Sequence, residues 1–339
     1  QVPLFQRGRS FVHPVFDYLL IGGGLSLLVI PWLPSSGNLT IDQASVTLLP
    51  ALVLMFNSAH FASSTLRLYS KPGALQQWPF LTLVFPLVTL AVVTAGIALS
   101  STLGRSLFEV YLVWSPYHYA AQAYGIALLY AYRSGCTMSD GDKRLLRWLC
   151  LMPFFYAVTT SANTGLAWVL PLSARTQWPL VGLTIEGLEI LLIAAAFIGP
   201  AVFVRRLNAK GQSFPAISLL LVATNGVWWI VFSYLEAFLW ATVFHGIQYL
   251  AIVIVFHLRD HPPASGARMG WLAPTLKFYA GSLVLGYALF SVWPWAYQGL
   301  GFRFGEAMLV CAAAINLHHF IVDAYIWRAQ RDRVTAPGQ

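Results

Sequence analysis

The chain has 339 residues, of which 58% are hydrophobic and only 9% are charged. A soluble domain typically has about 25% charged residues, so this composition excludes an ordinary soluble protein and indicates a polytopic membrane protein. The net charge of +8 therefore does not indicate a nucleic-acid partner. In a membrane protein the positions of the Lys and Arg residues indicate its orientation. The three cysteines show no CxxC spacing and indicate neither a disulfide framework nor a zinc knuckle.

About ten segments are apolar enough to cross a bilayer, which takes roughly 20 residues for each crossing. They lie near residues 15–33, 44–66, 78–100, 106–132, 144–170, 178–203, 215–234, 236–257, 271–293 and 305–327. No soluble domain interrupts them. The sequence therefore predicts an all-α membrane bundle of about ten transmembrane helices in a single domain, residues 15–328, with tails at 1–14 and 329–339.

The basic residues predict the orientation of this bundle. Ten spans place both termini on one side, and that side receives every Lys and Arg except Arg105, Arg175 and Arg303. Because positively charged loops stay in the cytoplasm, the bias predicts cytoplasmic termini. Residues 1–14 are polar and basic and lack the apolar run of a signal peptide, so they are interpreted as a cytoplasmic tail.

Four of the predicted spans carry histidines deep in apolar sequence. His60, His118, His245 and His318 precede the basic cytoplasmic ends of their spans by seven to fifteen residues, or roughly 10–22 Å at about 1.5 Å per residue. Imidazoles at this depth are costly, so by default they mark a functional site. His319 adjoins His318 and is a rival candidate, since the two side chains point about 100° apart on a helix.

Polar residues accompany each histidine at helical spacing. The spacings of three to five residues place most of them on the face that carries the histidine. The candidates for this supporting role are Asn57, Gln122, Gln248, Tyr249 and Asp323. Such groups commonly fix the tautomer of an imidazole bound to a metal.

The histidines predict a metal centre, with His60, His118, His245 and His318 as the expected ligands. Neutral imidazole suits iron, zinc and copper, and a site of histidines without thiolates favours non-haem iron. Haem and zinc are alternatives. Isolated histidines also act simply as hydrogen-bonding groups between helices, and this structural role is the competing interpretation.

Aromatic residues are dense around two of the histidines. Most are expected to pack between helices or to form interfacial belts. Some are candidates for the lining of a cavity for a long apolar substrate: Trp114, Tyr119 and Phe244.

In their order along the chain, the histidine motifs resemble those of the Brp/Blh family of bacterial membrane carotenoid dioxygenases. The similar segments are Ala59-His60-Phe61, Tyr117-His118-Tyr119 with Gln122, the run from Phe244 to Tyr249, and His318 with Asp323 and Arg328. Tyr249 stands where the family has a second histidine, so His319 or Gln248 is available to complete the ligand set. The resemblance implies iron held by histidines near mid-membrane and oxidative cleavage of a carotenoid double bond.

Three functions from different classes follow. The first is a non-haem iron oxygenase acting on an isoprenoid or lipid in the bilayer, with a bacterial inner membrane as the expected location. The second is a haem-binding or structural subunit of a larger membrane complex. The third is a transporter or proton relay that uses Asp323, Glu186, Glu189 and the histidines. No catalytic residue is assigned from the sequence.

Overall fold

The computed structural model describes residues 3, 5–32, 50–71, 73–162, 164–232, 234–262 and 270–334. For 172, 234–236 and 326–334 it describes the backbone alone. Parts of several predicted segments lie outside these residues, namely 1, 2 and 4 of the first tail, 33 and 44–49 of the first two spans, 163 of the fifth span, 233 of the seventh span, and 335–339 of the last tail. The side chain of Arg328 is likewise not described.

The described chain is almost entirely helical, so the predicted all-α class is confirmed. The α-helices are α1 Pro14–Phe16, α2 Gly24–Val29, α3 Ala59–Ser70, α4 Ala74–Gln77, α5 Phe85–Ala98, α6 Arg105–Arg133, α7 Asp140–Thr160, α8 Leu172–Gln177, α9 Pro179–Ala209, α10 Ala216–Ile230, α11 Tyr234–Asp260, α12 Leu272–Tyr287, α13 Trp293–Gly299 and α14 Phe304–Val334. Segments of π-helix occupy Asp17–Ile21, Val53–Ser58, Phe80–Val84, Ser100–Gly104 and Ala288–Val292, and 3₁₀ turns occupy Ile30–Trp32 and Gly165–Trp168. The strands are β1 Phe5–Gln6 and β2 Phe214–Pro215, which pair in parallel.

Helices lie at all ten positions predicted for membrane spans. Among the described residues, six helices are long and apolar enough to cross a bilayer, and a seventh crossing is possible if Pro14–Ile21 and Gly24–Trp32, bent by 70°, form one span. The chain thus has the helices of an integral membrane protein, while the count of ten spans stays a prediction.

The chain divides into two compact units. The first unit contains residues 1–40 and 112–245, and the second contains 41–111 and 246–339. Helices α6 and α11 contribute residues to both units. The histidines of the sequence motifs are therefore distributed over two units, with His118 and His245 in the first and His60, His318 and His319 in the second.

In the first unit, α7, α9 and α10 pack on one another. Ser139 begins α7 with a capping box, in which its hydroxyl accepts the Asp142 N–H at 3.2 Å and the Asp142 carboxylate accepts the Ser139 N–H at 3.2 Å. The same carboxylate pairs with Lys210 at 2.7 Å and with Arg206 at 3.0 Å, both near the end of α9. One buried acid thus fixes the start of α7 against the end of α9.

The N-terminal residues belong to the same unit and pack against it. The carboxylate of Asp17 is fully buried and accepts the Tyr130 hydroxyl at 2.7 Å and the Val12 N–H at 3.2 Å. The pairing of Phe5 with Phe214 adds a backbone connection to the start of α10. The described residues of the first tail therefore pack against helices of the first unit.

In the second unit, α3 packs against α12 and α14, and α14 also packs against α5. Phe61 of α3 joins Cys311 and Ile315 of α14 in one buried apolar cluster. Leu68 and Val322 belong to another buried cluster about two turns further along, each seven residues beyond Phe61 and Ile315. Because both contacts advance together along the chain, α3 and α14 run side by side in the same direction.

Two glycines hold the π-helical segment that leads into α3. A Cβ on Gly246 would lie 2.5 Å from the Phe56 carbonyl oxygen, and a Cβ on Gly286 would lie 2.8 Å from the carbonyl of Ser58. Only glycine permits this approach of α11 and α12 to the backbone. Since α3 begins at Ala59, the two glycines fix the position of His60.

We expect Gly286→Ala to lower the free energy of unfolding by about 1–3 kcal/mol, because the added methyl group overlaps backbone that cannot move aside. Thermal unfolding in detergent measures the effect. Gly187→Ala in α9 is the matched control, since a Cβ there meets nothing within 4 Å and alanine favours a helix. Equal stability of the two variants would contradict the close packing.

Candidate metal centre

Each unit contains one pair of buried histidines. In the second unit His60 of α3 lies against His319 of α14, and both are at most 1% exposed. In the first unit His118 of α6 lies against His245 of α11, and these residues are 8% and 1% exposed. The buried residues His60, His118 and His319 each offer one ring nitrogen that can bind a metal ion.

The His60–His319 pair has the geometry of two neighbouring ligands. Its two Nε2 atoms are 2.9 Å apart, and the rings are nearly perpendicular at 83°. Metal–nitrogen bonds of about 2.0–2.1 Å put ligands at right angles about 2.9 Å apart and opposed ligands about 4 Å apart. The pair therefore fits adjacent positions on one metal. The same separation also fits an N–H···N hydrogen bond between the two rings.

Ser64 controls which nitrogen of His319 carries the proton. Its Oγ lies 2.8 Å from Nδ1 of His319 and donates to the Phe61 carbonyl at 2.9 Å. When Ser64 donates its hydroxyl proton to that carbonyl, its oxygen is free to accept a proton from Nδ1 of His319. In that tautomer Nε2 of His319 keeps its lone pair, which is the form in which an imidazole binds a metal.

Aromatic and charged groups enclose the pair within the second unit. The ring of Tyr249 lies 4.4 Å from that of His60, and its hydroxyl donates to the carboxylate of Asp323. Arg67 is 1% exposed, and its Nη2 lies 3.5 Å from the Asp260 carboxylate. Asp323 also acts on Arg67 electrostatically. The buried anion therefore has a buried cation to balance it, as buried charges require.

His318 occupies a different environment. Its ring stacks on Phe85 with centroids 4.7 Å apart and planes inclined by 12°, and it is only half-buried. The predicted ligand His318 thus lies beside an apolar ring, while its rival His319 lies against His60. Both assignments stay predictions about metal binding.

The His118–His245 pair is enclosed by aromatic rings of the first unit. The ring centroids of the two histidines are 5.1 Å apart, and Tyr119 stacks on His245 at 4.1 Å. The Tyr119 hydroxyl bonds to that of Thr242 at 2.8 Å, and Trp229 packs 5.9 Å from the Tyr119 ring. Tyr119, predicted as cavity lining, therefore positions a histidine.

The remaining predicted residues are spread over both units. Phe244 stacks on Trp228 at 6.2 Å, whereas Trp114 is 37% exposed. Both polar side-chain atoms of Gln122 are buried without a hydrogen-bond partner among the described residues. Gln248 and Asn57 are buried in the second unit at 3% and 7% exposure.

The roles of three residues near the His60–His319 pair were not predicted from the sequence. Ser64 was one of several hydroxyls near His60, and its contact with His319 depends on the register of two distant helices. In the sequence, Arg67 served only as one of the positive charges that predict the orientation in the membrane. Its burial against Asp260 comes from the packing of α3 on α11. Asn316 stands three residues before His319, as Asn57 does before His60, and this repeated spacing was a signal available in the sequence.

Comparison of the chain with models of known protein families, with curated proteins and with solved structures gives no match.

We expect Ser64→Ala to weaken metal binding about 10–100-fold, the usual effect of removing a group that orients a ligand. Titration of purified protein with Co²⁺, followed by absorption, measures the affinity. Ser63→Ala is the control, because Ser63 is equally buried and its hydroxyl, among the described residues, bonds only to the His60 carbonyl of its own helix. The same affinity in both variants would remove Ser64 from the site.

Proposed function

We propose that this chain is an integral membrane protein that binds a metal, iron, at His60 and His319 and acts as a non-haem iron oxygenase. The observation that carries the proposal is the 2.9 Å approach of two buried ring nitrogens, one of which Ser64 prepares as a lone-pair donor. We also propose that the chain has ten membrane spans and cytoplasmic termini and lies in a bacterial inner membrane.

The donor groups suit iron, and imidazole suits zinc and copper as well. The groups around the pair are imidazoles, hydroxyls and a carboxylate, with no thiolate in contact among the described residues, and imidazole with oxygen donors suits iron in the absence of sulfur. Two histidines leave open positions on the metal. Iron, when bound, would supply the activation of dioxygen, while the chain excludes water and holds the ligands.

Each neighbouring residue has a part in this arrangement. Ser64 orients His319, and the Tyr249 ring covers one side of His60. Asp323 accepts the Tyr249 hydroxyl, and Arg67 balances the charge of Asp323. The residues therefore hold the pair in one orientation within apolar surroundings, as a reactive centre needs.

The substrate class follows from the setting and from the resemblance to the Brp/Blh family. An enzyme embedded in a bilayer meets apolar molecules by lateral diffusion, and the resemblance points to an isoprenoid with conjugated double bonds. In the sequence prediction His118 and His245 complete the set of ligands. The measured ratio of metal to protein tests that assignment.

The alternative function is a haem-binding or structural subunit of a membrane complex. Two axial ligands of one haem lie on opposite sides of the iron, about 4 Å apart for metal–nitrogen bonds of about 2.0 Å, and the His60–His319 separation of 2.9 Å does not suit them. A structural subunit would instead use the pair as a hydrogen bond. Metal content distinguishes these roles.

We expect about one equivalent of iron to copurify with the protein expressed in iron-replete cells, as measured by mass spectrometry of the metal. His319→Ala should lose it, because one of two adjacent ligands is gone, and His318→Ala should keep it. A Soret band would indicate haem. Absence of bound metal in the wild type, or equal loss in both variants, would contradict the site.

We expect the iron-loaded protein to consume dioxygen when given a carotenoid in lipid nanodiscs and to release an aldehyde. With ¹⁸O₂ as oxidant, mass spectrometry should find ¹⁸O in the aldehyde. His60→Ala, which removes a ligand, should abolish both signals, and the exposed His13→Ala should retain them. Oxygen uptake without a cleaved product would assign a different oxygenase reaction.

A further inference from the structure

Two buried asparagines accompany the His60–His319 pair. Asn57 precedes His60 by three residues and Asn316 precedes His319 by three residues. In α14, residues three apart share a helix face, so Asn316 lies about one turn before His319 on the face that carries it. Asn57 lies in the π-helical segment Val53–Ser58, three residues before His60. Both asparagines belong to the second unit.

The side-chain oxygens of both amides have no hydrogen-bond partner among the described residues. Asn57 is 7% exposed and Asn316 is 2% exposed, so bulk water does not reach them. Asn316 donates from Nδ2 to the Ala312 carbonyl at 2.7 Å, which fixes the amide and turns Oδ1 away from that carbonyl. Buried acceptors are normally paired, and each exception calls for an explanation.

The chemistry of the missing partner follows from the groups themselves. A carbonyl oxygen accepts hydrogen bonds and repels other acceptors, so an anion or a second carbonyl does not fit. The partner must bring a hydrogen-bond donor into apolar surroundings, and of the possible donors a neutral O–H group carries no charge to bury. Water and the hydroxyl of an otherwise apolar molecule both satisfy this requirement.

We propose that Asn57 and Asn316 form a binding site for an O–H donor beside the His60–His319 pair. The inference rests on the proposed function in one respect, that the donor lies next to a metal. The two amides hold the oxygen of the donor in a fixed position, so they determine which end of a substrate, or which water molecule, approaches the pair.

The first arm of the test measures binding to metal-free protein in nanodiscs. Geranylgeraniol and the matched hydrocarbon without the hydroxyl group are titrated, with tryptophan fluorescence as the readout. If the donor is a substrate hydroxyl, Asn57→Leu and Asn316→Leu each lower the preference for the alcohol about fivefold to tenfold, the effect of one hydrogen bond.

The second arm detects bound water. Infrared spectra in D₂O record the O–D stretch of internal water, and ¹³C-labelled asparagine reports whether its carbonyl accepts a hydrogen bond. If the donor is water, the wild type shows both signals, and each Leu variant loses the O–D band. The wild-type spectra give a result even if a variant fails to fold.

Asn225→Leu is the matched control. Asn225 is 1% exposed, its Oδ1 also lacks a partner among the described residues, and its Nδ2 donates to the Cys150 carbonyl at 2.9 Å, but no histidine stands within one turn of it. The Asn225→Leu variant should leave the preference for the alcohol over the hydrocarbon unchanged. An unchanged preference and an unchanged O–D band in both Asn57→Leu and Asn316→Leu would overturn the proposal. Because the first arm uses metal-free protein, failure of metal binding would not produce that result.

Discussion

Two imidazole nitrogens 2.9 Å apart, in a region with almost no access to water, are the contact on which the second unit depends. Two lone pairs at this distance repel, so either a proton lies between the nitrogens or both bind a metal ion that lies off the line joining them. Ser64 contacts the opposite ring nitrogen of His319. When Ser64 accepts a proton there, Nε2 of His319 keeps its lone pair.

The backbone beside the pair departs from a regular α-helix and helps to position His60. The π-helical segment Val53–Ser58 ends directly before α3, and π-helical turns frequently occur at functional sites. Gly246 and Gly286 let α11 and α12 press against this segment, so the position of His60 is set by backbone contacts. Arg67, Tyr249 and Asp323 then add polar groups that a purely structural bundle would have little reason to bury.

The sequence predicted the helices well because long apolar runs have few alternatives to a helix in a bilayer. It did not predict the π-helical segments or the pairing of β1 with β2, since these depend on contacts between distant residues. For the candidate site, depth along the helices singled out the buried histidines. The choice between His318 and His319 was open from spacing alone, because adjacent residues differ only in direction, and the register of α3 against α14 decides which one meets His60.

We propose that His60 and His319 bind one metal ion together. Imidazole is a good ligand for Cu²⁺, and pulsed electron paramagnetic resonance of the Cu²⁺-loaded protein counts the imidazoles on the metal through their remote nitrogens. We expect at least two coupled imidazoles in the wild type, one fewer in His319→Ala, and no change in His318→Ala. A wild-type spectrum without coupled imidazole, or one that His319→Ala leaves unchanged, would contradict it.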